Sequence, residues 1–310
     1  MKYRFKHIVE YGGLRVVSAL IRILPHRAAL GAGWLLAFVV HHLLRFKVRT
    51  TQKRMRAVFG DRFNDRDYRR LSWLAFRNFI FSTIDGIRAQ TITPAQAEQR
   101  HEYHAAGTAI RALLAEGRGL ILAIPHMGSW EEAGIVSSLC GIPLIFIVGR
   151  QRNPLFDAYL TSLRSRHGNQ VIVRIRGDDA NAMQGVASML ELVQQLKSGK
   201  VLAILPDVRM PTSATTISFL GGSANVATGI GLFARYADIP ILPVINTRRG
   251  WTTVICRPLA PIRPDPSLAK EDDIRRMTQL VFDVINREVQ DDPSQWFWYN
   301  SRWILDPVIP

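Results

Sequence analysis

Gly119-Leu120-Ile121-Leu122-Ala123-Ile124-Pro125-His126-Met127-Gly128-Ser129-Trp130-Glu131-Glu132 contains the whole architecture in small. Five consecutive apolar residues, Leu120 to Ile124, have no polar alternation, as a strand covered on both faces requires. Pro125, Gly128 and Ser129 then punctuate the chain, with a tight turn at the glycine and a serine suited to open a helix. The same texture continues downstream. Strands are expected at 119–125, 143–148, 170–175, 200–207, 241–246 and 252–258. Helices are expected at 129–140, 153–166, 179–197, 225–237 and 270–290, and a further one at 64–90 from its three- and four-residue apolar spacing. Strands alternating with helices of this length give βαβ units. The fold class is therefore α/β, a mixed, mostly parallel sheet flanked by helices. The strand order is not written in the sequence.

In an open α/β sheet, ligands gather at the carboxyl ends of the strands, where His126 falls. Glu131 follows five residues later. On one continuous helix two such residues diverge by about 140°, so they meet only if His126 lies on the turn and Glu131 in the first helical turn. A histidine there can accept a proton from a hydroxyl while its other nitrogen donates to a carboxylate. The helix N-terminus adds backbone donors for an oxyanion. Glu132 competes with Glu131 on spacing alone, and Asp207, closing the strand Leu205-Pro206-Asp207, stands where it too can enter the site. The motifs H-E-x-x-H, G-x-S-x-G and the P-loop are missing, and no strand is followed by G-x-G-x-x-G.

Charge is concentrated at one end. Residues 1–80 hold 17 Lys or Arg against four acids, +13 of the net +15. This excess adjoins the most apolar stretch, from Leu14 to Phe46. Nucleic acid explains the charge but not the apolar run, and a single aromatic, Phe46, lies among the basic residues of 45–56 with no repeated interleaving, so nucleic acid ranks last as a partner. An anionic membrane surface explains both features. The best apolar window, Ala28 to Leu44, is 17 residues long and holds two histidines. A full span needs about 20, which favours an amphipathic or partly inserted anchor over a single pass. Residues 1–50 are assigned to this basic and apolar anchor, and 51–310 to the main domain. Two isolated cysteines, Cys140 and Cys256, fit a reducing compartment.

The ordered series of motifs resembles the lipid A biosynthesis acyltransferase family (the lauroyl/myristoyl type), which includes phosphatidylinositol mannoside acyltransferases. His126-x4-Glu131 matches its H-x4-D/E signature. Arg150 with Asn153-Pro154-Leu155-Phe156-Asp157 is similar to its arginine and N-P-L-x-D element, and Arg164 with Gly168 to the helix and turn that follow. Lys200–Asp207 resembles its strand ending in P-D. Phe219-Leu220-Gly221-Gly222 with Ala227-Thr228-Gly229, and Gln295 to Trp303, are similar to its later motifs.

The resemblance implies a glycerolipid acyltransferase-like fold behind an N-terminal membrane anchor, at the cytoplasmic face of a bacterial inner membrane. It implies transfer of a fatty acyl chain to a sugar hydroxyl of a membrane glycolipid. Acyl carrier protein or CoA thioester would be the donor, as co-substrate, with no metal or redox cofactor. His126 would be the general base and Glu131 would orient it. Arg150, Arg164 and Arg302 would hold phosphate or oxyanion, Asp207 would line the site, and Thr228 and Gly229 would bind substrate or pack a helix on the sheet. Val208-Arg209 after Asp207, and Asn300-Ser301 before Arg302, depart from the family pattern on the acceptor side. Lipid A precursors, other glycolipids, lysophospholipids and acylated amino-lipids thus stay open as acceptors, as does a membrane-binding relative without catalysis.

Overall fold

The computed structural model describes residues 4–174, 182–210, 214–300 and 303–306. The chain begins with α1 (Phe5–Ile23) and α2 (His26–Phe38), which runs into a π-helical turn at Val39–Leu43, then α3 (Val48–Phe59). The long helix α4 (Asp65–Arg88) starts where the Asn64 side chain accepts from the backbone N–H of Arg66 and Asp67. Helix α2 packs on α4 through Ala29 and Leu30 against Phe81 and Ile84. Gly33 lets the two approach, since a Cβ there would come within 2.2 Å of Ile84 Cδ1. The outer faces of α1 and α2 and the turn after them leave Phe5, Ile23, Leu35, Leu43, Leu44 and Phe46 exposed. Among the described residues no single helix is long and apolar enough to cross a membrane. The pair His26–Leu43 and Val48–Arg62 passes that test only together, bent by 83°.

Next come α5 (Pro94–Arg100), opened by a reciprocal Thr93/Gln96 cap, β1 (His101–Glu102) and α6 (His104–Leu114). The alternating region follows: β2 (Leu120–Ala123), α7 (Trp130–Leu139), β3 (Leu144–Gly149), α8 (Pro154–Arg164), β4 (Gln170–Arg174), α9 (Ala182–Lys197) and β5 (Val201–Ile204). A hairpin, β6 (Ala214–Phe219) and β7 (Gly222–Ala227), precedes α10 (Gly229–Ala237). The chain ends with β8 (Ile241–Arg249), β9 (Thr253–Pro258), α11 (Lys270–Asp291) and β10 (Leu305–Asp306).

Among the described residues seven strands form the main sheet in the order β1-β9-β8-β2-β5-β3-β4. Every pairing is parallel except β8 with β9. The mixed, mostly parallel sheet expected from the alternation is thus the observed one. Strand β2 is central and all four of its residues are buried. Its side chains divide between two cores, Ile121 with Leu202, Val281 and Phe282 on one face, Leu120 and Leu122 with Ile110, Val136 and Val244 on the other. Each such aliphatic side chain contributes about 1.5–3 kcal/mol on burial, so both helical layers are held by the same strand.

The start of the helix expected at 225–237 differs in the structure. Residues 225–227 belong to β7, not to the helix, because β7 pairs antiparallel with β6 on one side and β10 on the other. The two-residue turn is built by positive φ at Leu220 (+48°) and Gly221 (+76°). The helix expected over 179–197 is described from Ala182, its first residues lying outside the described set.

Candidate active site

Strands β2 and β5 are parallel neighbours in the register Ala123↔Ile204. Three residues beyond each end come His126 and Asp207, so the register carries both to the same level of the sheet edge, about 4.8 Å apart by strand spacing. They meet there. The His126 backbone N–H donates to Asp207 Oδ2 at 2.9 Å, and Nδ1 lies 2.8 Å from Oδ1. A carboxylate can only accept, so Nδ1 carries the proton and Nε2 is the nitrogen able to take one from a substrate. The Asp207 side chain is fully buried, whereas 21% of the His126 side chain stays exposed.

Burial disfavours the imidazolium, but the Asp207 charge, its hydrogen bond and the Glu131 charge outweigh it, and His126 lies above the ordinary histidine pKa. Burial also works against the Asp207 carboxylate. The His126 charge and the three hydrogen bonds it receives, from the His126 ring and backbone and from Trp296, hold it below the usual carboxylate range.

The turn is fixed by the C-terminal aromatic run. Gly128 N–H donates to Gln295 O at 3.1 Å and Phe297 N–H to His126 O at 3.0 Å, with Met127 and Trp296 bridged antiparallel. The indole N–H of Trp296 reaches Asp207 Oδ2 at 2.8 Å. Gly128 has φ +55°, and a Cβ there would meet Asn246 O at 2.3 Å. The opening beside His126 is lined by Asp207, Trp296, Phe297, Asn300, Trp303 and Ile304. Trp130 packs edge-on against the His126 ring, with centroids 5.3 Å apart.

Glu131 stands in the first turn of α7, as its spacing requires, but its hydrogen bonds go to Arg164, at 2.6 and 3.3 Å. The carboxylate on His126 Nδ1 is Asp207; Glu131 acts on the ring through its charge. This corrects the expected hydrogen-bond partner of His126. The rival Glu132 is buried and bonded to Arg100 at 2.7 Å. Ser129 holds the N-cap position of α7 without a side-chain cap bond; its hydroxyl donates to Asp85 at 3.3 Å.

The other sequence-derived residues spread out. Arg150 is exposed after β3. Asn153 and Asp157 of the N-P-L-x-D element secure α8, Asn153 Oδ1 accepting from Leu155 N–H at its start and Asp157 accepting from Gln151 N–H. Asn153 also donates to His7 O and Glu10 of α1. Thr228 and Gly229 begin α10, where neither lines the opening beside His126. Arg302 lies outside the described residues. Sequence reasoning missed Trp296 as a ligand of Asp207, although the aromatic run that contains it was visible.

Comparison with known proteins matches residues 3–304 to the family model described as bacterial lipid A biosynthesis acyltransferase. The chain is 24% identical over 188 residues to a lipid A biosynthesis acyltransferase of Haemophilus influenzae, covering 59% of this chain and 53% of that one. It is 22% identical over 203 residues to a phosphatidylinositol mannoside acyltransferase of Mycobacterium tuberculosis, covering 63% and 58%, and 21% identical over 193 residues to one of Mycolicibacterium smegmatis, covering 61% and 58%. The matched stretches thus span little more than half the length of these relatives. With its family model matched from residue 3 to residue 304, the chain belongs to the bacterial lipid A biosynthesis acyltransferase family.

Proposed function

We propose that this chain transfers a fatty acyl group from a thioester, of acyl carrier protein or CoA, to a hydroxyl of a membrane glycolipid. The observation that carries this reading is the His126–Asp207 pair, which lines an opening together with Trp296, Phe297 and Trp303. The acceptor hydroxyl gives its proton to His126 Nε2 as its oxygen attacks the thioester carbonyl carbon. The tetrahedral intermediate collapses with cleavage of the C–S bond, and the thiolate takes the proton from Nε2, leaving an ester and a thiol. Asp207 fixes the Nδ1–H tautomer and stabilises the imidazolium that forms. Glu131 adds negative charge beside the ring, and Arg164 holds Glu131 in place. Arg150, on the exposed loop after β3, suits a phosphate of either substrate.

The same reading seats the protein on a membrane. Exposed Leu43, Leu44 and Phe46 lie beside exposed Arg45 and Arg49 and continue the apolar faces of α1 and α2. Apolar side chains beside cations favour an anionic bilayer surface, here the cytoplasmic leaflet of a bacterial inner membrane. The test is mass spectrometry of membrane lipids from cells with and without the gene, and with His126→Ala. A glycolipid species heavier by one acyl chain, present only with the wild-type chain, is expected. Identical lipid profiles in all three would sink the reading; a shifted lysophospholipid would move the acceptor class.

A further inference from the structure

Behind the catalytic turn lies a buried charged cluster that the proposed chemistry does not use. Its centre is Asp85 of α4, whose side chain is 1% exposed. Its two carboxylate oxygens face different parts of the molecule. Oδ1 accepts from Arg100 Nη2 at 3.2 Å and lies 2.8 Å from His26 Nε2, at the first residue of α2. Oδ2 accepts from the Ser129 hydroxyl at 3.3 Å and from Arg248 of β8.

Both contacts of Oδ2 lead to the turn that carries His126. Ser129 is itself in that turn, three residues past the histidine. Arg248 leads there through Gln295. The Gln295 side chain accepts from Arg248 N–H at 2.9 Å and donates to Arg248 O at 3.1 Å, while its backbone oxygen accepts from Gly128 N–H at 3.1 Å. The turn is therefore held at Ser129 by Asp85 directly and at Gly128 by Gln295, whose side chain pairs with the backbone of Arg248, itself bonded to Asp85. The cap residue of α7 makes no side-chain cap bond; its hydroxyl sits between two carboxylates, 3.3 Å from Asp85 Oδ2 and 3.5 Å from Glu132 Oε2, so helix capping does not account for the Asp85 contact.

Burial opposes the charge on Asp85, yet Arg248, Arg100 and His26 hold it down to about 2, so it stays an anion across the working range. An ion fixed by four cationic or donor groups in a dry interior is a stiff reference point. Hydrogen-bond geometry at a general base tolerates little drift, because proton transfer needs heavy atoms within about 2.6–3.2 Å.

We propose that Asp85 is a positioning residue for acyl transfer, setting the place of His126 through Ser129 and through Arg248 and Gln295. This rests on the function proposed above. Asp85 touches no reacting atom. It holds the 126–129 turn at the level where Asp207 can bind Nδ1.

The test uses the full-length chain and its Ser129→Ala, Asp85→Asn and Asp85→Asn/Arg248→Met variants. Palmitoyl-CoA serves as donor and a phosphatidylinositol mannoside as acceptor. The second readout is the downfield proton resonance of His126 Nδ1–H, assigned by its loss in His126→Gln. Ser129→Ala and Asp85→Asn should each lower kcat by about tenfold or more, equal to about 1.4 kcal/mol, with the KM for donor within about twofold. Both should shift or broaden the Nδ1–H resonance. Asp85→Asn leaves the Arg248 charge buried and unpaired, and the variant fails to fold if that cost dominates. The double variant, which removes both charges, and Ser129→Ala then carry the test. An unchanged kcat and an unchanged resonance in folded variants would overturn the proposal. If the wild-type chain transfers no acyl group, the functional reading falls, and the resonance alone still decides whether Asp85 positions His126.

Discussion

The indole N–H of Trp296 and the backbone N–H of His126 converge on one oxygen of Asp207, at 2.8 and 2.9 Å, while the other oxygen binds the His126 ring. Nothing in this arrangement leaves the carboxylate free to rotate. A buried acid with its lone pairs committed in this way keeps the imidazole in one tautomer and one orientation.

Asp207→Asn should therefore be the most damaging conservative change at the site. The amide presents a donor or a weaker acceptor to Nδ1, and the wrong tautomer becomes available. A fall in kcat on the order of a thousandfold is expected, with the folded structure kept. Steady-state kinetics on the purified variant check this, and a loss smaller than that of Glu131→Gln would return the orienting role to Glu131.

The pH profile follows from the raised pKa of His126. As a base the ring must be neutral, so activity rises through the folded-state pKa, and the acid limb of kcat should lie above the ordinary histidine value of about 6.5. The sign for stability is opposite. Stabilisation from protonated His126 is present in full below the unfolded pKa and is lost as pH rises through the folded one. Removing either nearby negative charge should move the limb down, Asp207→Asn by more than Glu131→Gln, because Asp207 both bonds the ring and acts on it by charge. A limb that stays in place in both variants would contradict this assignment.

Trp296→Phe keeps an aromatic ring but withdraws one donor from a buried carboxylate. Hydrogen bonds to charged groups contribute about 1.5–3 kcal/mol, and the variant should lose stability in that range. Urea unfolding at pH 7 measures it, and a change below about 0.5 kcal/mol would mean that another donor replaces the indole.

Membrane docking has its own readout. Replacing exposed Leu43, Leu44 and Phe46 by serine should reduce co-sedimentation with phosphatidylglycerol vesicles without lowering the melting temperature by more than a few degrees. Raising salt should weaken the wild-type attachment in part, through the exposed arginines nearby. Full binding by the triple variant would place the docking face elsewhere.

The α/β class, the mostly parallel sheet and the central burial of Leu120–Ala123 were legible in the order of residues, because an apolar run and its turn punctuation are local properties. So was His126 at a strand end. The hairpin β6–β7 was not, since its strands take their form from pairing with each other and with β10 across some 80 residues. The carboxylate on His126 was likewise out of reach. Spacing pointed to Glu131, five residues on, whereas the true partner is 81 residues away. The register of β2 against β5 decided that, by setting two residues three places past their strand ends side by side. Trp296 comes from a still more distant part of the chain, 89 residues past Asp207, and Asp85 behind the turn from 44 residues before Ser129. Local residue order dictates the strand, the turn and the histidine; strand order and register, which no local pattern encodes, choose the acid that holds that histidine.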